Sequence, residues 1–282
     1  QQNALNSSSP DEADISPGNL PYNRKCADCG AEMPSWCCIN WGCCICINCS
    51  GVHRGLTTSV SKVRSLTLDR LDFYSKKLLE QLGNERVNEI LESCLEPSQK
   101  INANSSKQER EDFIQLKYAK CVFVAQRGQQ ENVDIYDSIR KKSLIDVFKA
   151  ICTMRYLHAN NSMFYQALIE KGGHGNYTPL HLAASIGDPL ICHLVALNSN
   201  DPSQLDDGGW SPLSYAAYYG NVEADEVLLH DGTDPKKTIE NHPYVIARSK
   251  NRLNVATMLL PYWDGDENVA SRLFLPPVAI EH

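Results

Sequence analysis

No apolar run in this 282-residue chain approaches the roughly 18 residues that a membrane-crossing helix needs, which excludes a protein built on such spans. Positive charge is also in short supply. Lys and Arg number 27 against 34 Asp and Glu, a net charge of −7, and that balance argues against general affinity for nucleic acid or anionic membrane, leaving room only for a local basic patch. Neither a signal peptide nor a lipidation motif precedes the polar start at Gln1, and there is no initiator methionine, so the chain reads as a segment of a longer protein. What is abundant is cysteine, twelve in all, eight of them between Cys26 and Cys49.

Four of these fall into two CxxC pairs, Cys26 with Cys29 and Cys46 with Cys49, separated by sixteen residues, with four more residues between the second pair and Arg54. A two-residue gap lets one tight turn aim both thiolates at the same ion, and two such turns supply the tetrahedron that zinc takes at about 2.3 Å from sulfur. A closed set of four thiolates leaves no open position for water, so the metal is structural and any chemistry belongs to neighbouring residues, Arg54 first among them. Cys43 and Cys46 are also spaced as CxxC, which leaves a second ligand register, Cys26, Cys29, Cys43 and Cys46, open. Disulfides are the other reading; this density of thiols without a signal peptide favours a reducing compartment and metal. The remaining cysteines, Cys37, Cys38, Cys43 and Cys44, read as small buried apolar residues.

Length favours two domains. Residues 1–18 are rich in Ser, Asn, Pro and acid and read as a linker. A domain over 19–130 carries the cysteines, then a short half-buried strand near Ser61–Asp69 on which Lys62 and Arg64 share an exposed face. An amphipathic helical pair over Asp72–Glu92 breaks near Gly83-Asn84, and helix resumes over Gln108–Phe123. Trp36 serves either the core or a partner contact. The boundary falls in the polar stretch Gln126–Asp137.

The second half repeats. Thr178-Pro179-Leu180-His181-Leu182-Ala183-Ala184 returns 33 residues later as Ser211-Pro212-Leu213-Ser214-Tyr215-Ala216-Ala217, and a degenerate copy, His242-Pro243-Tyr244-Val245-Ile246-Ala247-Arg248, follows after 31 more. This period and signature resemble the ankyrin repeat: Thr caps a helix, Pro suits its first turn, and the paired alanines let two antiparallel helices approach. The repeats are expected over 135–265, about four, with Leu144–Glu170 the first, capping pair (Phe164, Leu168 and Ile169 on its second apolar face), Val255–Tyr262 the last helix, and a loose tail over 266–282. His181 is expected to bond neighbouring backbone. His158, His174, His181 and His193 stand at spacings that suit no metal site.

The two CxxC pairs, the intervening Trp and Asn-x-Gly, the following Ser50-Gly51-Val52-His53-Arg54, and Ser61-Lys62-Val63-Arg64-Ser65-Leu66-Thr67-Leu68-Asp69 together resemble the Arf GTPase-activating protein family over about residues 19–125. Leu82-Gly83-Asn84 and Glu109–Tyr118 are similar too. Ankyrin repeats directly afterwards resemble the ASAP, ACAP and AGAP branch. The resemblance implies a mainly α fold with a small zinc-finger β element: a four-cysteine zinc domain packed on an ankyrin-repeat solenoid. It implies a chain that accelerates GTP hydrolysis on Arf-type GTPases, Arg54 acting in trans as an arginine finger, with Trp36, Lys62, Arg64 and Asp69 on or beside the GTPase-facing surface. Mg²⁺ and GTP would arrive with the GTPase. Other proteins would dock on the repeats, and cytoplasmic residence with membrane contact through domains beyond this segment is expected. Two departures stand out. Leu56-Thr57-Thr58-Ser59 lacks a Gly and a His usual after the arginine, and Cys37-Cys38 and Cys43 replace Ala-Ser and Val. The rival readings are a catalytically silent zinc and ankyrin adaptor and a GATA-type DNA-binding finger; the latter wants a basic recognition helix and tail that the mixed charge after Cys49 does not supply.

Overall fold

The computed structural model describes residues 16–124, 134–159 and 176–265. Its cysteine-rich part opens with two 3-10 turns, Pro17–Asn19 and Pro21–Asn23, in which Pro17 and Gly18 are buried; residues 16–18 thus pack with the domain and not with the linker expected over 1–18. Three short strands follow, β1 Trp36–Cys38, β2 Cys43–Ile45 and β3 Val63–Ser65, in the order β2-β1-β3 and all antiparallel. Cys37 pairs with Cys44 on one side and Arg64 on the other. Helix α1, Ile47–Arg54, leaves the sheet directly after β2.

Helices α2 (Phe73–Gln81) and α3 (Gly83–Leu91) are the pair expected from the apolar spacing. Asp72 caps α2 through the amide of Ser75. Gly83 has a φ of +68°, and a Cβ there would lie 2.5 Å from the Tyr22 ring. Only glycine meets both demands. The next residue uses the sharp turn: Asn84 receives the Cys44 amide (2.7 Å) and donates to the Cys44 carbonyl (2.9 Å), so α3 grips the strand that leads to the second CxxC. Helix α4, Lys107–Ile114, starts at a Ser106–Glu109 capping box and runs into a π-helical turn, Gln115–Ala119.

The second part stacks helical pairs. Among the described residues its first pair is α5 (Ile135–Arg140) with α6 (Leu144–Ala159), α6 starting where the first helix of Leu144–Glu170 is expected; the second helix of that expectation, with Phe164, Leu168 and Ile169, lies outside the described residues. Three further pairs are α7 (Pro179–Ile186) with α8 (Pro189–Leu197), α9 (Pro212–Tyr219) with α10 (Val222–His230), and α11 (Pro243–Ser249) with α12 (Leu253–Leu259). The fourth residue of each of the first two signatures links its repeat to the next. His181 Nδ1 accepts from the Thr178 amide (3.0 Å), so Nε2 carries the proton and donates to the Trp210 carbonyl (3.0 Å); burial lowers its pKa to about 4. Ser214 does the same for the Asn241 carbonyl at 2.7 Å.

The two parts share a buried face. Trp41, fully buried, meets Tyr118 of its own domain at 5.2 Å and Phe148 of α6 at 6.2 Å between ring centres. Asn198 donates to the Asn40 carbonyl (2.9 Å), and Arg155 donates to the Ser59 carbonyl (2.7 Å) while its guanidinium lies 5.0 Å over Trp41. Among the described residues no helix is long and apolar enough to cross a membrane.

Candidate metal centre and the exposed arginine beside it

The first cysteine pair sits in a tight turn closed by the Gly30 amide on the Cys26 carbonyl (3.0 Å), and the Ala27 amide donates to Cys44 of β2 (3.0 Å). The second pair is set by a helix start: Cys46 is the N-cap of α1 and Cys49 lies in its first turn. These placements gather the sulfurs of Cys26, Cys29, Cys46 and Cys49 within 4.8 Å of one another, all four residues buried. The Cys29 and Cys46 sulfurs are 3.6 Å apart, against about 3.8 Å for a zinc tetrahedron with 2.3 Å bonds, so the donor set and its spacing fit that ion. Arg110 of α4 donates to the Cys49 sulfur at 3.3 Å, the kind of positive group a cluster of thiolates requires in a buried setting.

The second ligand register is not formed. Cys43 points instead to the Tyr118 hydroxyl at 3.7 Å, and Cys37, Cys38, Cys43 and Cys44 are fully buried in the sheet, as expected of apolar filler. Burial pushes the thiol pKa values of Cys37, Cys38 and Cys44 upward, keeping them protonated. All twelve cysteines are described and all are free.

Behind the cluster lies an ionic network that the sequence reading did not single out. Asp28, inside the first CxxC and fully buried, accepts from Tyr118 (2.8 Å), from Lys117 (3.2 Å) and from His53 Nε2 (3.1 Å). Burial by itself would raise the pKa of this carboxyl; the Lys117 charge and the His53 and Tyr118 hydrogen bonds outweigh it and hold the pKa well below the usual carboxylate range. Lys117 is also fully buried and bonds Glu92 (2.7 Å), Asn88 (2.8 Å) and the Ala27 carbonyl (3.1 Å). One signal was available: Lys117 stands four residues after Phe113 on the apolar side of its helix, where a lysine needs a buried partner. His53 is occupied by Asp28 and by the Ser61 hydroxyl (2.8 Å), outside the sulfur cluster.

Arg54, the last residue of α1, is exposed, and its guanidinium carbon lies 4.1 Å over the ring of Trp36. The two come from different elements, with Trp36 opening β1. Lys62 is half-buried and Arg64 exposed, so the two differ in access although they alternate along one segment. Burial lowers the Lys62 pKa, with Arg155 and Arg64 acting the same way and Asp231 opposing. Asp69 is exposed and accepts the Ser65 amide at 2.6 Å, which closes the turn after β3. In the departing loop Thr57 and Ser59 bond each other through their hydroxyls (2.8 Å), and the Ser59 carbonyl is held by Arg155.

Residues 16–127 match the family model described as "Putative GTPase activating protein for Arf", and residues 151–239 and 180–270 match that of ankyrin repeats. The chain is 45% identical over 107 residues to "Arf-GAP with coiled-coil, ANK repeat and PH domain-containing protein 2" of Gallus gallus, covering 37% of this chain and 14% of that protein. To protein 3 of the same description from Homo sapiens it is 46% identical over 104 residues, 36% of this chain and 12% of that one. To "ADP-ribosylation factor GTPase-activating protein AGD4" of Arabidopsis thaliana it is 27% identical over 268 residues, 77% of this chain and 34% of that protein. The chain thus spans between 12% and 34% of the lengths of these relatives.

Proposed function

The chain carries an ArfGap domain followed by ankyrin repeats, and from that premise we propose that it stimulates GTP hydrolysis on Arf-type small GTPases by offering Arg54 to the nucleotide in trans. The observation that carries the reading is the exposed guanidinium laid on Trp36 at the end of the helix that starts at the cysteine cluster. A guanidinium keeps its charge near neutral pH and donates two parallel hydrogen bonds, which suits the oxygens over which charge spreads as the γ-phosphoryl group transfers. Stacking limits the conformations the arginine must give up on docking without neutralising it. Trp36, Lys62, Arg64 and Asp69 are the proposed contact residues for the GTPase, which would bring its own Mg²⁺, GTP and water-orienting glutamine.

Zinc would be held by Cys26, Cys29, Cys46 and Cys49, and its role is to fix the fold around α1, since four thiolates leave it no open position. Arg110 balances the charge of the cluster, and Asp28 with Lys117 ties the first cysteine turn to α3 and the π-helical turn. The ankyrin repeats offer a surface for further protein partners.

A single-turnover assay on GTP-loaded Arf tests the assignment. Arg54→Lys is expected to retain its zinc and its circular dichroism and to lose about 10³-fold or more of the stimulation. Full activity in the Lys variant overturns the finger role; no stimulation by the wild-type protein favours the adaptor reading.

A further inference from the structure

A second cluster of metal-ligand side chains lies at the junction of the two domains, away from the four cysteines. Asp72, which caps α2 of the ArfGap domain, meets His193 of α8 and His230 at the end of α10, and one donor atom from each lies within 4.8 Å of the others. Spacing along the chain hides this group. His193 follows Asp72 by 121 residues and precedes His230 by 37, separations that give no metal-site pattern along the chain.

Asp231, its side chain almost wholly buried, accepts from Nδ1 of His193 at 2.8 Å and lies 3.1 Å from Nδ1 of His230. A carboxylate has only lone pairs to offer, so Nδ1 of His193 donates to Asp231 and Nε2 is the ring atom left to turn toward Asp72. This carboxylate–histidine arrangement is the one that orients imidazole ligands at metal centres. The His193 ring is 1% exposed, and its Nε2 faces Asp72 Oδ1 at 3.9 Å, a separation that one ion between them would span. The Ser75 hydroxyl, 3.1 Å from the same Nε2, serves it in the absence of an ion and is the group an ion would displace or join. His230, exposed, gives access from solvent.

We propose that Asp72, His193 and His230 bind one divalent ion of the zinc type, with Asp231 orienting the imidazoles, and that this ion clamps the ArfGap domain to the ankyrin repeats. Two imidazoles and a carboxylate suit Zn²⁺ among the divalent ions, and three protein ligands leave a position for water or for Ser75. An ion that binds only the docked arrangement stabilises it by mass action. Nothing in this proposal depends on the GTPase-activating reading.

The test is metal stoichiometry on the whole chain. Protein is equilibrated with excess ZnCl₂ at pH 7.5, desalted and measured by elemental analysis, alongside His230→Ala and Asp72→Asn, the latter chosen because Asn also caps a helix. The expected result is two zinc ions per wild-type chain and one in each variant, with unchanged circular dichroism. The wild-type melting temperature should rise on addition of the second equivalent, and neither variant should respond. With Co²⁺ the second equivalent should add visible d–d bands without further thiolate charge-transfer absorption. One zinc in the wild type under excess metal overturns the proposal, as does a second ion that both variants retain.

Discussion

Arg54 and Trp36 show how a single contact narrows the range of the side chain proposed as the finger. An arginine at the end of an exposed helix is a flexible cation, and an indole 4.1 Å beneath it narrows its range without removing its charge. A cation–π contact at an exposed site is worth about 0.5–1 kcal/mol, so Trp36→Ala should lower the stimulation of Arf GTP hydrolysis several-fold, far less than Arg54→Lys, with zinc content unchanged. Measuring kcat and KM separately for both variants distinguishes lost docking, read in KM, from lost transition-state stabilisation, read in kcat. Asp225 of α10 is the opposite case: fully buried, with neither carboxylate oxygen hydrogen-bonded among the described residues. Burial, aided by Glu226, holds its pKa well above the ordinary value, so the folded state binds this proton at a pH where the unfolded chain has released it. Stability therefore falls as pH rises from the unfolded-state value, about 3.9, through the folded one. Asp225→Asn should be more stable than wild type at neutral pH and should lack this part of the slope in urea titrations between pH 4 and 8.

Among the elements, the junction of α2 and α3 shows what the short Leu82-Gly83-Asn84 stretch accomplishes. Gly83 takes a left-handed conformation against Tyr22, and its amide reaches the Gly42 carbonyl at 3.1 Å, so the helical pair locks onto the β1–β2 hairpin that precedes the second cysteine pair. Gly83→Ala is expected to cost at least the roughly 1–2 kcal/mol of a left-handed non-glycine residue, read as a lower urea midpoint, with zinc retained at low denaturant. The π-helical turn Gln115–Ala119 plays a comparable part, because it presents both Lys117 and Tyr118 to Asp28. Helix α5 was hidden in the sequence because its six residues are too few for a helical period to show, and packing on α6 and α7 is what forms it.

At the scale of the molecule, the repeats act as a buttress. Trp41 is sealed by Phe148, and Arg155 spans from the ankyrin side to the loop that follows Arg54, reaching the Ser59 carbonyl and Asn198 together. Loop Leu56–Ser59 is thus held by the neighbouring domain, through Arg155 on the Ser59 carbonyl, as well as by its own hydroxyls. Arg155→Ala should uncouple the two halves: calorimetry that gives one transition for the wild type should give two for the variant, and stimulation of GTP hydrolysis should fall less than in Arg54→Lys. A single unchanged transition would refute that coupling.

The sequence alone narrowed the candidate cysteine ligands to two registers, with disulfides as a further reading, and determined the repeat period with its capping residues and the position of Arg54 beyond the second CxxC. Each of these rests on contacts between residues a few positions apart, where spacing dictates geometry. The tertiary structure decided which cysteine register closes, put Trp36 under Arg54, paired Asp28 with Lys117 across 89 residues, and brought Asp72 to His193 and His230. Those are meetings between distant segments, chosen by how apolar faces pack and by the need to pair every charge that packing buries, and no local pattern records them.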